Sequence, residues 1–514
     1  MKIVGRREMQ EIERHVIENI GLPGKVLMEL AGNHVAEEIE SAYPDQNTSV
    51  MILLGSGNNA GDGFVIARRL FDAGYEPMVW LLEKPEKLKG DAHLQYKVYS
   101  ARELSLHHLE DGEERMGADL RKAEVVIDAM LGTGGEGPVR EPIKHVIEAV
   151  NDKVDGEVIA VDIPSGLSCD TGEVTDVAIQ ANITYTFGFP KRGFFLQQGP
   201  SIIGRWQVKD ISIPCSIAET VKSNLPEVVT PERAQKALPA RYQFGHKGTF
   251  GHVLVVGGSK PYIGAPLHSA ESAFMTGAGL VTLLVPEDIY TAVASQNKNA
   301  LLRTLPSEAG HFSSTVTEGI PFEDLDVLAV GPGLGRFTGG QEFLQRLMEG
   351  CTGQPIVIDA DGLYHIKDQL GRISEYAGEV VLTPHPGEMA MLLGKEVSEV
   401  EADRLGIAHE FAQKYGVNLV LKGHRTVIAT PDALLINQNG NDSLAKGGSG
   451  DVLTGMIASF LGQGASLLDA MTAAVHLHAT AGESAAIRLS HYSVTPEDVM
   501  AEIRYIMKEW EVGK

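Results

Sequence analysis

The run Leu444-Ala445-Lys446-Gly447-Gly448-Ser449-Gly450-Asp451 places small residues, a cation and an acid side by side, ahead of the helical sequence VLTGMIASFLGQG. Successive glycine and serine N–H groups at the opening of a helix form a nest for an anion. An aspartate at that mouth can take the proton of a hydroxyl group that is being phosphorylated. A nucleophile elbow, GxSxG, nearly fits from Gly447, but Asp451 holds its last position, which argues against acyl hydrolysis. The chain has no GxxxxGK[ST], so it is not a P-loop kinase.

A second glycine-rich turn lies in the first half, Gly55-Ser56-Gly57-Asn58-Asn59-Ala60-Gly61-Asp62-Gly63, with a helix expected after it. Glycines there let backbone N–H groups approach a phosphate at a helix N-terminus. The turn approximates the dinucleotide fingerprint GxGxxG, with Ala60 where the last glycine belongs, and Glu83 ends the next strand about 20 residues on. A nicotinamide dehydrogenase is therefore one reading. Against it, two asparagines and an aspartate crowd a turn that a plain pyrophosphate cradle would leave bare. Asn59, Asp128 and Ser165 fall at the carboxyl ends of expected parallel strands, the edge where open α/β sheets bind ligands. Oxygen ligands gathered there could hold a hard cation. The plainer alternative is that Asp128 and Asp162 only cap the helices that follow. The loop Gly132-Thr133-Gly134-Gly135-Glu136-Gly137-Pro138 beside them favours the binding reading.

The elements that must position these residues follow one grammar. Short apolar runs, VMILLG, PMVWLLE, EVVIDAMLG and EVIAVDIPSG, alternate with stretches of helical period. Such unbroken runs predict parallel strands buried on both faces. The pattern restarts at GHVLVVGGS and continues through LVTLLVP, DVLAVGPGLG, PIVIDADGL, EVVLTPHPGE and NLVLKGHRT. The expectation is two α/β domains in series, at 1–222 and 228–514, with a proline-punctuated boundary segment that lacks a buried strand. The halves share a style but no motifs, so they do not read as a duplication.

Composition excludes several classes. The chain has 514 residues, 43% hydrophobic and 22% charged, and a formal net charge of −24. A surface so negative repels nucleic-acid backbones, so no nucleic-acid partner is expected, although a local pocket can still take a small anion. Cys169, Cys215 and Cys351 are too few and too scattered for a disulfide framework, and no CxxC exists. His476 and His478, two apart on a predicted helix, cannot share a face as a zinc pair. The start carries no signal-peptide core and no apolar run approaches the ~20 residues of a membrane helix, so a cytoplasmic chain with no membrane partner is expected.

In the first half, GNNAGDG, DAMLGTGGEGP, VDIPSGLSCDTG and TFGFPKRG together resemble the NAD(P)H-hydrate epimerase domain family, over about residues 8–214. The resemblance implies a Rossmann-like αβα sandwich. It implies potassium held at Asn59, Asp128 and Ser165. Substrate contacts would fall on Asn58, Asn59, Ala60, Gly61 and Asp62, on Gly132 through Pro138 including Glu136, and on Asp162, which is also the candidate for proton transfer. The chain departs from the family at Ala60, where glycine is usual, and at Leu30, where LMELAG stands in place of LMENAG.

In the second half, GGSGD resembles the ribokinase-like superfamily. HKGTFGHVLVVGGS, GAPLHSAESAFMTGAGLV, GPGLG, VIDADGL, LTPHPGEM and LKGHRTVI narrow it to the ADP-dependent NAD(P)H-hydrate dehydratase family, over about residues 235–510. That resemblance implies a ribokinase-like αβα sandwich with Asp451 as the base. Gly447, Gly448, Ser449 and Gly450 would cradle the transferred phosphoryl group. Ala265, Gly333, Gly335 and His385 would line the hydrate pocket. Lys422, Gly423, His424, Arg425 and Thr426 would meet the nucleotide, with Lys446 as a further phosphate contact. The partners implied are the hydrates NADHX and NADPHX and ADP, with magnesium accompanying the nucleotide, in a homo-oligomeric chain. The joint expectation is metabolite repair: R and S hydrates are interconverted, and the S form is dehydrated at the expense of ADP, giving AMP and phosphate. Two other classes stay open, a small-molecule kinase of the hydroxymethylpyrimidine or sugar type and a nucleotide-binding regulator without turnover.

Overall fold

The computed structural model describes residues 1–109, 112–135, 137–314, 319–320 and 322–512, which separate into two compact units, Met1–Pro226 and Glu227–Lys514. Among the described residues no helix is long and apolar enough to cross a membrane.

In the first unit the strands are β1 (Val50–Leu54), β2 (Met78–Leu81), β3 (His107–His108), β4 (Val125–Ala129), β5 (Glu157–Val161), β6 (Ile183–Phe187) and β7 (Arg205–Lys209). They form one parallel sheet in the order β3-β2-β1-β4-β5-β6-β7. The order reverses direction between β1 and β4, and that switch point opens a crevice at the carboxyl edge. All five residues of β1 are buried. Val50, Ile52 and Leu54 face one apolar cluster while Met51 and Leu53 face the other, the two-residue alternation of a strand covered on both sides. Leu53 lies in register with Asp128 of β4, so an acid is carried into the middle of an apolar layer.

The second unit contributes β8 (Glu227–Val228), β9 (His252–Val256), β10 (Leu280–Pro286), β11 (Leu301–Leu305), β12 (Ser307–Glu308), β13 (His311–Phe312), β14 (Val327–Val330), β15 (Ile356–Ile358), β16 (Val380–Leu382), β17 (Asn418–Leu421), β18 (Val427–Ala429) and β19 (Leu434–Ile436). The main sheet runs β11-β10-β9-β14-β15-β16-β17-β18-β19-β8. It is parallel as far as β17, after which β17-β18-β19 is an antiparallel meander.

The boundary segment differs from expectation. It supplies β8, which pairs in parallel with β19 and buries Val228. A two-residue strand between prolines is too short to leave a period in the sequence.

The helix Ser449–Gly462 packs along Gly264–Met275 at a distance that admits no side chain at Gly455, where a Cβ would stand 2.0 Å from the Ser269 carbonyl oxygen. Ser269 Oγ also donates to the Asp451 carbonyl oxygen at 2.8 Å, which ties the glycine-rich turn to the neighbouring helix.

Candidate active sites

At the first switch point, Gly57 in extended conformation precedes the helix Asn58–Asp72, so the free N–H groups of that helix open toward the sheet edge. A cavity of about 530 Å³ lies there. Asn58, Asn59, Asp62, Gly132, Thr133, Gly134, Gly135 and Asp162 line it, as the sequence led one to expect. Ala60 and Gly61 do not. Ala60 is fully buried in the core beneath the turn, and a Cβ at Gly61 would press on the Met28 sulfur at 2.5 Å. The alanine methyl is thus packing and leaves the cavity side of the turn unobstructed. Gly137 and Pro138 are exposed and outside the cavity lining, and Glu136 lies outside the described residues. Leu30 is half-buried against the core and is likewise not part of the lining. Glu83, the acid a dehydrogenase would turn to a ribose, is paired with Lys87 and also outside it.

Under this cavity a chain of hydrogen bonds links the three expected cation ligands. Asn59 Nδ2 donates to the Leu131 carbonyl at 3.0 Å, and the Leu131 N–H donates to Ser165 Oγ at 2.8 Å. Ser165 Oγ and N–H donate to the two Asp128 carboxylate oxygens at 2.5 and 2.7 Å. Asp128 and Ser165 are fully buried, and burial pushes the Asp128 carboxyl up to about 6 against its hydrogen bonds. Asp128 is therefore no helix cap. Among the described residues Asn59 Oδ1 is buried with no hydrogen-bond partner. An unpaired buried oxygen is costly unless something else satisfies it. An amide oxygen, a hydroxyl and a carboxylate fit a hard monovalent cation by ligand chemistry.

Above them Asp162 sits at a left-handed φ of +65° and receives hydrogen bonds from Lys191 Nζ at 2.7 Å, Thr186 Oγ1 at 3.1 Å and the Phe187 N–H at 3.2 Å. Lys191 is fully buried and also donates to the carbonyls of Phe187 and Phe189. It stands in TFGFPKRG, yet nothing local in that string says that its ammonium turns inward to Asp162.

In the second unit, Gly448 adopts φ +96° as the N-cap of Ser449–Gly462, whose first turn carries Asp451. At the carboxyl end of β15, Asp359 is almost completely buried. Its carboxylate accepts from Lys422 Nζ and from Thr454 Oγ1, both at 2.7 Å. Lys422 Nζ stands against the turn: a Cβ on Gly450 would lie 3.2 Å from it. Burial works against the Lys422 charge, but Asp359 and Glu388 outweigh it and raise its pKa above the ordinary lysine value. Asp451 is pushed up to about 7, by burial first and by Asp359 next, against the pull of Lys422. Thus the aspartate is held near the balance point where it can take a proton and return it. Asp359, Glu388 and Thr454 were not among the residues singled out from sequence. Their motifs were visible, but the contacts that give them a role span distant segments.

A cavity of about 760 Å³ adjoins this cluster. It collects Lys422, Gly423, His424, Arg425, Thr426, Lys446, Ser449, Gly450 and His385. Lys446 Nζ donates to the carbonyls of Tyr492 and Val494 at 2.5 and 2.6 Å, so it also fastens its loop to the segment before the last helix. His385 caps the helix Pro386–Leu393, its Nδ1 accepting from the N–H groups of Gly387 and Glu388. His385 lies with the Lys422–Thr426 loop, whereas Ala265, Gly333 and Gly335 are outside that cavity's lining and gather separately. A Cβ on Gly333 would touch the Ala265 methyl at 3.2 Å, and the Gly335 N–H donates to Asp361 at 2.9 Å. Gly447, Gly448 and Asp451 are also outside the lining. His476 and His478 are both buried and separately engaged, His476 Nδ1 with Asn437 and His478 Nε2 with Ser449 Oγ, and burial holds each down to about 4.

Two α/β units, each with a glycine-opened helix facing buried acids at a sheet edge, define a two-domain α/β enzyme. The family model for NAD(P)H-hydrate dehydratase matches residues 253–504, and that for the YjeF-related protein N-terminus matches 24–193. A relative from Moorella thermoacetica described as a bifunctional NAD(P)H-hydrate repair enzyme is 38% identical, covering 99% of this chain and 97% of its own. A relative of the same description from Thermofilum pendens is 36% identical, covering 95% and 92%. The solved ADP/ATP-dependent NAD(P)H-hydrate dehydratase from Bacillus subtilis, co-crystallised with ATP and Mg2+, superposes with a TM-score of 0.50 at 28% identity. It covers 55% of this chain and 99% of its own. The chain belongs to the family of bifunctional NAD(P)H-hydrate repair enzymes.

Proposed function

We infer that the chain restores NADH and NADPH from their hydrates in two steps, with an epimerase in residues 1–222 and an adenine-nucleotide-dependent dehydratase in 228–514. The observation that carries the reading is the placement of Asp451 at the N-terminus of Ser449–Gly462, with Lys422 and Asp359 beside it.

In the second unit Asp451 accepts the proton of the hydrate's C6 hydroxyl. The freed oxygen attacks the terminal phosphoryl group of ADP, the bond from that phosphorus to the bridging oxygen breaks and AMP leaves with its electron pair, and the developing charge falls on the N–H groups of Gly448, Ser449 and Gly450 and on Lys422. Phosphate then leaves C6 with its bonding electrons, a C5 proton departs, and the C5=C6 double bond returns. ADP is the proposed donor, with Lys422 through Thr426 along its phosphates and magnesium supplying charge neutralisation when bound. In the first unit Asn59, Asp128 and Ser165 would hold potassium, which supplies a fixed positive charge beneath the substrate's phosphates. The turn from Asn58 to Asp62 and the loop from Gly132 would seat those phosphates. A homo-oligomer working in the cytoplasm completes the reading.

The test is recovery of the reduced-nicotinamide absorbance from mixed R and S hydrates with ADP and magnesium. Full recovery is expected. Recovery that stops near half would leave the dehydratase and remove the epimerase. No recovery with ADP or ATP, with a stable phosphorylated product instead, would favour the small-molecule kinase.

A further inference from the structure

Three carboxyl groups from three separate elements face the first unit's cavity. They are Glu13 from the helix Arg6–His15, Asp62 from Asn58–Asp72, and Asp162 from the turn after β5. Asp91 reaches the same cavity from the helix Gly90–Ala101. The cation beside them is Lys191, which is committed to Asp162 and to backbone carbonyls. Asp162 is thereby an anchored acceptor, its Oδ1 taking all three of the hydrogen bonds from Lys191, Thr186 and Phe187. Asp62 is buried at the base of the turn, and burial, with Asp162 and Glu13 nearby, raises its carboxyl well above the ordinary aspartate range. Glu13 stands at the wall of the cavity, outside the segment that the N-terminal family model matches.

We propose that Glu13 is a catalytic residue of the first unit, giving a proton to, and taking one from, the C6 oxygen of the hydrate. This rests on the epimerase reading above. Burial, with Asp162 opposing and Lys191 assisting ionisation, lifts the Glu13 carboxyl to about 7, so both of its forms are present at neutral pH. The Glu13 proton passes to the C6 hydroxyl oxygen, the C6–O bond breaks with its electron pair, and water leaves. The N1 lone pair closes a C6=N1 iminium cation, which a cavity lined with carboxyl groups favours electrostatically. Water then adds to the opposite face, the C6=N1 pair returns to N1, and the proton lost by that water returns through cavity water to the Glu13 carboxylate. Nothing is consumed, and the configuration at C6 is inverted.

The experiment follows R-to-S conversion by chromatography with the full chain and potassium but no nucleotide, so that dehydration is silent. Glu13→Gln should lower kcat about 100-fold or more, within the usual range for a lost acid–base group. It should leave hydrate affinity nearly unchanged and abolish the rate's dependence on a group titrating near pH 7. Glu13→Asp should restore part of the rate and keep a pH-dependent limb. ADP-driven dehydration of S hydrate and thermal unfolding report whether each variant has folded. Should Glu13→Gln misfold, the Glu13→Asp pH profile decides, and a limb identical to wild type would overturn the proposal. A Glu13→Gln variant with near-normal kcat would overturn it too. A wild-type chain that fails to speed epimerisation would instead remove the epimerase reading.

Discussion

Lys422 and Asp359 form an ion pair of 2.7 Å beneath the glycine-rich turn of the second unit. They come from the ends of different strands, β17 and β15, and Thr454 occupies the second oxygen of the same carboxylate. The pair presents one ammonium to the turn while its counter-charge stays underneath. Asp359→Asn removes that counter-charge and leaves a buried ammonium uncompensated. Breaking a buried pair in this way costs about 3–5 kcal/mol. The expected outcome is a lower unfolding midpoint for the second unit and weaker nucleotide binding, read by calorimetry and by titration with ADP.

Asp451→Asn should keep nucleotide binding and abolish dehydration. In the wild type the acceptor must be ionised, so kcat/KM should rise with pH through about 7 and level off above it. Near-normal turnover in the variant, or a rate that falls with rising pH in this window, would remove Asp451 from its role.

Asn59→Leu tests the cation site. Among the described residues the wild-type asparagine leaves a buried oxygen without a partner, and potassium is expected to satisfy it. Raising potassium chloride should raise the unfolding temperature of the wild type more than sodium chloride does. The variant should respond to both salts alike, as should Asp128→Ala.

Arg404 should act on the nucleotide without touching it. Almost completely buried, it donates to the carbonyls of Leu421 and Lys422 at 3.1 and 3.0 Å, and its guanidinium abuts Gly423, whose φ is +139°. It therefore sets the course of the loop that begins at Lys422. Losing such charged hydrogen bonds is worth about 1.5–3 kcal/mol. Arg404→Gln should accordingly raise KM for ADP about tenfold or more while kcat changes little. Arg404→Lys should recover part of the loss. A fall in kcat at unchanged KM would contradict the positioning role.

Stability should depend on pH in an unusual direction. Glu13 and Asp451 titrate near 7 and Asp128 near 6 in the folded chain, all above their unfolded values, with burial the leading cause in each. Groups raised in this way favour the fold fully below pH about 4, and that contribution is lost as pH rises through 6 to 7. Ligand-free protein should thus melt at a higher temperature at pH 5 than at pH 8. Glu13→Gln and Asp451→Asn should each flatten the difference.

Much of this arrangement was legible because it is local. The glycine-rich turns and the apolar runs before them announced sheet edges, and Asn59, Asp128, Ser165 and Asp451 fell where such edges gather ligands. What stayed hidden is assembled from distant segments. Asp359 meets Lys422 across 63 residues and Thr454 across 95, so no window of sequence shows the triad. Glu13 lies in a stretch where charged and apolar residues alternate, and only the fold turns it onto the cavity. His385 illustrates the opposite case. Its flanking prolines, Pro384 and Pro386, are plain in the sequence, while its service as a helix cap beside the Lys422–Thr426 loop depends on backbone geometry.

The short strand β8 bears on how the second half can be produced by itself. A polypeptide begun at residue 253, where the dehydratase family match starts, would lack both β8 and the helix Pro231–Lys236, with its buried Ala234. The outer rim of β19 would then offer unpaired backbone groups to any neighbouring strand, an invitation to self-association. Beginning the polypeptide ahead of Glu227 keeps that rim closed, and a catalytically competent half should be recovered from such a start and clump from the later one.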